Sequence, residues 1–113
     1  MSKQIPLQQA VEMTTRYRQE KENILDAPNR NKGILPLSET FDRSDFDIIL
    51  AQKGCVALRI YYGMDDSLTL TAIIVGVNDK NEDILPADQE NGITEEGVKC
   101  PPYCPPGSPL NGG

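Results

Sequence analysis

Few side chains in this chain could carry chemistry, and histidine is missing altogether. Without histidine the chain has no serine–histidine or cysteine–histidine pair, and it lacks the usual proton shuttle of neutral pH. There is also no glycine-rich phosphate loop, and the aspartates and glutamates fall in predicted helix faces, caps and turns. We therefore predict that the protein is not an enzyme and uses no cofactor.

Two of the three cysteines, Cys100 and Cys104, lie in a proline-rich segment and are candidate metal ligands. Structural zinc usually takes four ligands, so the three thiolates of one chain would need a ligand from another subunit. A disulfide is the other alternative. Four residues of polyproline II span about 12 Å, whereas a disulfide needs Cα atoms closer than about 7 Å, so it would require a turn or a cis proline. A metal-binding or redox module using these cysteines is our alternative function.

An acidic stretch carries the oxygen ligands of an EF-hand loop at positions 1, 3, 5 and 12, namely Asp79, Asn81, Asp83 and Glu90. The rest of the loop does not fit. Ile84 stands where the sharp turn needs glycine, Pro86 falls inside the loop, and the segment that enters it has the pattern of a strand. We interpret the stretch as a β-turn followed by solvated acids, and whether it binds calcium stays open.

The charge of the chain is concentrated in one place. The net charge is −6, and the segment 79–96 holds seven acids and one base, so the remainder carries 10 acids against 10 bases. Nucleic-acid binders use lysine and arginine to neutralise phosphates, and anionic membrane surfaces attract basic segments. The charge therefore predicts that neither nucleic acid nor a membrane is a partner.

Three features of the sequence predict a cytoplasmic location. The longest aliphatic run, residues 72–77, is far shorter than the about 20 residues that span a bilayer. The N-terminal residues lead into a polar amphipathic pattern without the apolar region of a signal peptide. The odd number of cysteines is typical of a reducing compartment.

Apolar spacing and end signals predict two helices. From Leu7 to Leu25 apolar residues recur at intervals of three and four, which is typical of an amphipathic helix. The second helix should begin after Asp42, a good N-cap, with Phe41 and Phe46 in the two positions of a hydrophobic staple. It should end at Gly54, since glycine is the usual residue after a helix C-terminus.

Alternating apolar residues predict strands at 55–62 and 68–77, with a turn between them and a short third strand at 82–85. The fold class is therefore α+β: two helices packed on a short antiparallel β-hairpin or a three-stranded sheet. We place this small domain at residues 1–85. Residues 86–113 form an acidic and then proline- and glycine-rich tail, in which the segment 100–109 is predicted to be extended polyproline II.

The small core predicts that the chain needs further contacts. Apolar residues make up 38 % of a 113-residue chain with no tryptophan, and a chain this short buries only about 60–70 % of its unfolded surface. We predict a structural or interaction protein that self-associates as a homo-oligomer. The stiff tail is the predicted docking segment, for another copy or a protein partner, through Pro101, Pro102, Tyr103, Pro105, Pro106 and Leu110.

The first long strand carries a further candidate binding face, formed by Arg59, Tyr61 and Tyr62, although such residues are more often the half-exposed side of a sheet.

Most of the chain is covered by four sequence stretches: ILPLSETF, GCVALRIYYG, VGVND and CPPYCPP. In these stretches the chain resembles small uncharacterised proteins of Bacteroidota. That resemblance implies no activity and no site residues.

Overall fold

The computed structural model describes residues 2–86, 92–95 and 97–112. In chain order the elements of these residues are α1 (Leu7–Glu20), a 3₁₀ turn (Ala27–Asn29), β1 (Ser38–Thr40), α2 (Arg43–Leu50), β2 (Ala57–Met64), β3 (Leu70–Val77), β4 (Asp83–Ile84), β5 (Ile93–Thr94) and β6 (Val98–Cys100). The α+β class predicted from the sequence is confirmed.

The main sheet has four antiparallel strands and is larger than the predicted hairpin or three-stranded sheet. β2 pairs with β3 along its whole length, from Ala57 opposite Val77 to Met64 opposite Leu70. The other side of β3 is shared by β4 and β5. The additional strand, β5, comes from the segment that the sequence assigned to the tail. A separate two-stranded sheet is formed by β1 and β6.

The chain divides into two compact units, at boundaries other than the predicted ones at 85 and 86. Unit 1 comprises the two ends of the chain, up to Ser38 and from Lys99 onward, and unit 2 runs from Glu39 to Val98. The predicted tail is therefore split. Its first part contributes β5 to the sheet of unit 2, and its last part belongs to the same unit as α1.

Unit 2 has a small core between the sheet and α2. Ile49 of α2 and Ile74 of β3 are 0 % and 1 % exposed. The predicted staple is present, since the rings of Phe41 and Phe46 lie 5.7 Å apart between centroids. Asp42 occupies the N-cap position but forms no capping hydrogen bond through its side chain, so ring packing is the contact that supports this helix start.

Unit 1 contains α1, which ends at Glu20 rather than at the predicted Leu25, and residues 21–24 continue as turns. The helix buries none of its side chains completely. The hydroxyl of Tyr17 donates to the carbonyl of Pro36 at 2.7 Å, and Ile34 and Cys100 are the buried apolar residues of this unit within the described ranges. No helix among the described residues is long and apolar enough to cross a bilayer.

Both hairpin turns of the sheet are built in the same way. In the turn after β2, Asp65 Oδ1 accepts from the amides two and four residues later, both at 2.9 Å. Asn78 does the same after β3, at 2.9 and 3.0 Å. In each turn the third residue after the acceptor has a positive φ: Asn81 at 65° and Leu68 at 64°. Asparagine tolerates this conformation, whereas leucine is strained in it.

Replacing Leu68 by asparagine is therefore expected to stabilise the protein by roughly 0.5–1 kcal/mol. Leu68 is 52 % exposed, so little apolar contact is lost. The measurement is the midpoint of urea unfolding. Leu68→Ala is the matched control, because alanine removes the leucine side chain without relieving the backbone. A variant Leu68→Asn that is no more stable than Leu68→Ala would contradict the prediction.

Candidate functional site

Four polar residues form a hydrogen-bonded network on one face of the sheet, which we call the polar bridge: Arg59, Tyr61, Asn81 and Asp83. Arg59 Nη1 donates to Asp83 Oδ1 at 2.5 Å, and Arg59 Nη2 donates to Asn81 Oδ1. The Tyr61 hydroxyl donates to Asp83 Oδ2 at 2.5 Å. Because β3 lies between β2 and β4, the bridge crosses β3 and ties the two outer strands together.

The electrostatics of the polar bridge follow from these bonds. The hydrogen bond from Tyr61 and the hydrogen bond and charge of Arg59 lower the pKa of Asp83, against the opposing effect of desolvation. The hydrogen bond to Asp83, with desolvation and the carboxylate charge, raises the pKa of Tyr61. At neutral pH the bridge therefore holds a carboxylate, a neutral phenol and a guanidinium, and the charge of Arg59 is compensated within the same sheet.

Replacing Asp83 by asparagine is expected to lower the pKa of Tyr61 toward its ordinary value, because the carboxylate that disfavours the phenolate is removed. The stabilising contribution of Asp83 is present above its unfolded pKa and is lost as the pH falls through its lowered folded pKa. That of Tyr61 is lost as the pH rises through its raised pKa. In the variant Asp83→Asn, the free energy of unfolding should lose both of these dependences on pH.

Phenolate absorbance and denaturant unfolding across pH measure the two effects. Tyr61→Phe assigns the phenol signal to Tyr61. Asp66→Asn, in an exposed turn, is the control for a change of one charge. A phenol titration in Asp83→Asn equal to that of the wild type would contradict the assignment.

The other face of β2 carries four apolar side chains, which we call the apolar edge: Leu58, Ile60, Tyr62 and Met64. They share a face because side chains alternate along a strand. Ile60, Tyr62 and Met64 are 53 %, 79 % and 57 % exposed. β2 pairs with β3 on one side, and no other strand of the described residues lies on its second side. Exposed apolar side chains and an unpaired strand edge thus coincide.

The candidate metal ligands Cys100 and Cys104 form a disulfide, with Cα atoms 4.5 Å apart. The sequence predicted about 12 Å for polyproline II; instead the two peptide bonds before Pro101 and Pro102 are cis, and these prolines form a turn. In this state neither sulfur is a thiolate, so a metal site on them applies only to the reduced protein. Within the described ranges, no three potential ligands of cysteine, aspartate or glutamate type cluster.

The predicted interaction residues of the tail are largely exposed, namely Pro101, Pro102, Tyr103, Pro105, Pro106 and Leu110. Tyr103 is the most prominent apolar side chain among them, at 72 % exposure. The end of the tail contacts its own chain, since Arg18 of α1 donates to the carbonyl of Leu110 at 2.8 Å. Asn111 closes a turn there by accepting from the Ser108 amide at 2.9 Å.

Two of the four candidate calcium ligands, Asn81 and Asp83, belong to the polar bridge. The side-chain oxygens of Asn81 and Asp83 accept hydrogen bonds from Arg59, which supplies the positive charge that a cation would have brought. Asp79 is exposed in the turn, and Glu90 lies outside the described residues.

Sequence reasoning grouped Arg59 and Tyr61 with Tyr62, which lies on the opposite face of β2, and it missed Asp83, the partner of Arg59 and Tyr61. Their spacing of two residues places both side chains on one face of a strand, and this signal was available. Asp83 lies 24 residues from Arg59, and only the register of two successive strand pairs brings it to the same face.

Comparisons of the chain with protein-family models, with curated proteins and with solved structures found no match.

Proposed function

We propose that this chain is a non-enzymatic interaction protein that self-associates, and that it does so through β2. The observation that supports the proposal is the apolar edge. Folded proteins usually protect an edge strand by keeping it short or by adding lysine, proline or a covering segment. β2 has eight residues, no proline and no lysine, and its one charged residue, Arg59, is paired with Asp83. An unprotected edge of this kind favours pairing with another strand.

The distribution of charge is consistent with this assignment. The net charge of −6 arises from the segment 79–96, whose strand β4 lies on the opposite side of β3 from β2. Among the described residues, Asp79 and Glu82 are exposed acids next to β4 and oppose strand pairing on that side of the sheet, whereas β2 is electrically neutral once Arg59 is paired. Two copies can therefore approach through β2 while Asp79 and Glu82 of each copy lie on the far side of β3.

The test is the solution mass of the full chain over a wide range of concentration. Sedimentation equilibrium should give twice the chain mass of 12.5 kDa at high concentration, with dissociation on dilution. A mass of one chain at every concentration would overturn the proposal.

The tail keeps a secondary part in the proposal. Its terminal turn contacts α1 of the same chain through Arg18, which favours docking in cis for that part. Tyr103 and the neighbouring prolines are exposed and held by the disulfide, and a loop ordered in advance loses less entropy when it binds. We therefore propose this loop as the surface for a different protein partner and assign self-association to β2.

A redox role of Cys100 and Cys104 is the second candidate function, and the disulfide between them favours it over a metal site. The same bond bears on the proposed cytoplasmic location. Structural disulfides persist mainly in oxidising compartments, and cytosolic ones are usually transient or redox-sensing. A cytoplasmic location is therefore compatible with this candidate if the bond forms reversibly.

A further inference from the structure

The hydrogen-bond pattern of the β2–β3 hairpin determines which backbone groups of β2 point away from β3. Asp65 lies one residue beyond β2, and its amide donates to the carbonyl of Thr69 at 3.1 Å. This pair continues the register in which Met64 lies opposite Leu70. In an antiparallel ladder, bonded and non-bonded pairs alternate. The odd-numbered residues of β2 therefore bond to β3, and the even-numbered ones direct their N–H and C=O groups outward.

The outward groups belong to the residues of the apolar edge. Each of the four contributes one amide and one carbonyl to the free side of β2. Their side chains project from one face of the sheet, on which a Cβ atom added to Gly76, the residue opposite Leu58, would meet Ile49 and Gln52 of the helix region. Backbone groups that need partners and side chains that remain exposed are thus provided by the same residues.

We propose, building on the proposed function, that a second copy pairs antiparallel with β2 and that the two-fold axis passes through Tyr61. Only even-numbered residues of β2 direct backbone N–H and C=O groups outward, so each bonded pair between the copies joins two even-numbered residues. The midpoint of such a pairing is a residue that lies opposite itself in the second copy, and the two-fold axis must pass at that residue rather than between two successive residues. With the axis at Tyr61, Leu58 bonds to Met64 of the second copy and Ile60 bonds to its Tyr62. All four residues of the apolar edge are then paired. An axis at Ile60 would place Met64 opposite Val56, beyond the end of the strand.

The side chains are self-complementary in this register. On the apolar face, Ile60 lies beside Tyr62 of the second copy, a pairing of a β-branched with an aromatic residue that stabilises antiparallel strands. On the opposite face, Arg59 lies opposite Gly63 of the second copy. Glycine offers no side chain to obstruct Arg59, and the two arginines do not face each other. Arg59 can therefore keep its hydrogen bonds to Asn81 and Asp83 in both copies.

The register is tested by oxidative cross-linking of single cysteine variants, each in a Cys55→Ser background that removes the free thiol. Two copies of Tyr61 on the axis form a non-bonded pair with Cα atoms about 4.5 Å apart, which a disulfide spans. Two copies of Tyr62 would be about 8 Å apart, beyond disulfide reach. Tyr61→Cys should therefore cross-link at least about tenfold faster than Tyr62→Cys. Exposure alone predicts the reverse order, since Tyr62 is 79 % and Tyr61 45 % exposed.

A second pair of variants leaves the polar bridge untouched. Leu58→Cys and Met64→Cys, when mixed, should give a heterodimeric cross-link in preference to either homodimer. A dimeric mass with fastest cross-linking at Tyr62, or with no preference in the mixture, would overturn this register while leaving the proposed function in place. A monomeric mass at every concentration would overturn both.

Discussion

Tyr62→Lys is expected to convert the self-associated protein into single chains. In each copy Tyr62 lies in the apolar edge, so the substitution places two lysines in the paired region. Each ammonium must lose water without gaining an opposite charge, and like charges within an interface cost several kcal/mol. A loss of about 2.8 kcal/mol already raises the dissociation constant a hundredfold. The expected increase is therefore at least about a hundredfold.

The same substitution should leave the single chain nearly unchanged. Tyr62 is 79 % exposed, and its backbone groups point away from β3, so neither core packing nor the ladder to β3 depends on it. The preference of tyrosine over lysine in a strand is within about 1 kcal/mol. Circular dichroism and the urea midpoint at low concentration should match those of the wild type.

The matched control is Ile24→Lys. Ile24 is an apolar residue of similar exposure, 73 %, that belongs to unit 1. The substitution adds the same charge at a position outside β2, and the solution mass of this variant should equal that of the wild type. If Tyr62→Lys and Ile24→Lys dissociate alike, the effect comes from net charge and β2 is not the interface. If neither dissociates, another surface joins the copies.

Local signals in the sequence were sufficient for the elements whose ends depend on neighbouring residues. The start of α2 rests on Phe41 and Phe46, five residues apart, and their contact is present. The predicted end at Gly54 was wrong, because α2 ends at Leu50 with Ala51 as its C-cap. The positive φ of Gly54, 81°, belongs to the turn that follows the helix. The two long strands follow from alternation over eight residues each, and the structure moves their boundaries by only about two residues.

Features that depend on distant pairing could not be obtained in this way. β5 is two residues long, which is too short for an alternation of apolar and polar residues. It is a strand only because its residues pair with Val75 and Ile74 of β3. The polar bridge joins residues more than 20 positions apart. The prediction that the segment 100–109 is extended polyproline II was wrong for a different reason. Proline composition predicts polyproline II only when the peptide bonds are trans, and composition does not determine the isomer.

Removing the disulfide is expected to destabilise the protein by about 2 kcal/mol. The bond joins residues four apart, and closing a loop of this length removes about that much conformational free energy from the unfolded chain. Cys100 is 2 % exposed, and its carbonyl accepts from the Leu37 amide at 2.7 Å. The Tyr103 amide donates to the carbonyl of Lys99 in the same turn. Without the disulfide, this backbone hydrogen bond must maintain the turn without a covalent link.

Guanidinium unfolding of the wild type and of the double variant Cys100→Ser, Cys104→Ser, each with and without a reductant, measures this effect. Reduction should lower the stability of the wild type to about that of the double variant and should leave the double variant unchanged, which removes any general effect of the reductant. Cys55→Ser, which lacks the free thiol outside the loop, should remain sensitive to reduction. Amide exchange at Leu37 and Tyr103 should accelerate on reduction.

The same samples separate the redox candidate from the metal candidate. Zinc binds thiolates and not a disulfide, so a metal site predicts that zinc restores the stability of the reduced wild type and has no effect on the double variant. A reversible redox pair predicts that only reoxidation restores it. Full stability of the reduced wild type, with three titrating thiols and no zinc effect, would contradict both roles. The loop would then depend on its prolines and backbone bonds alone, because neither sulfur would contribute to its stability.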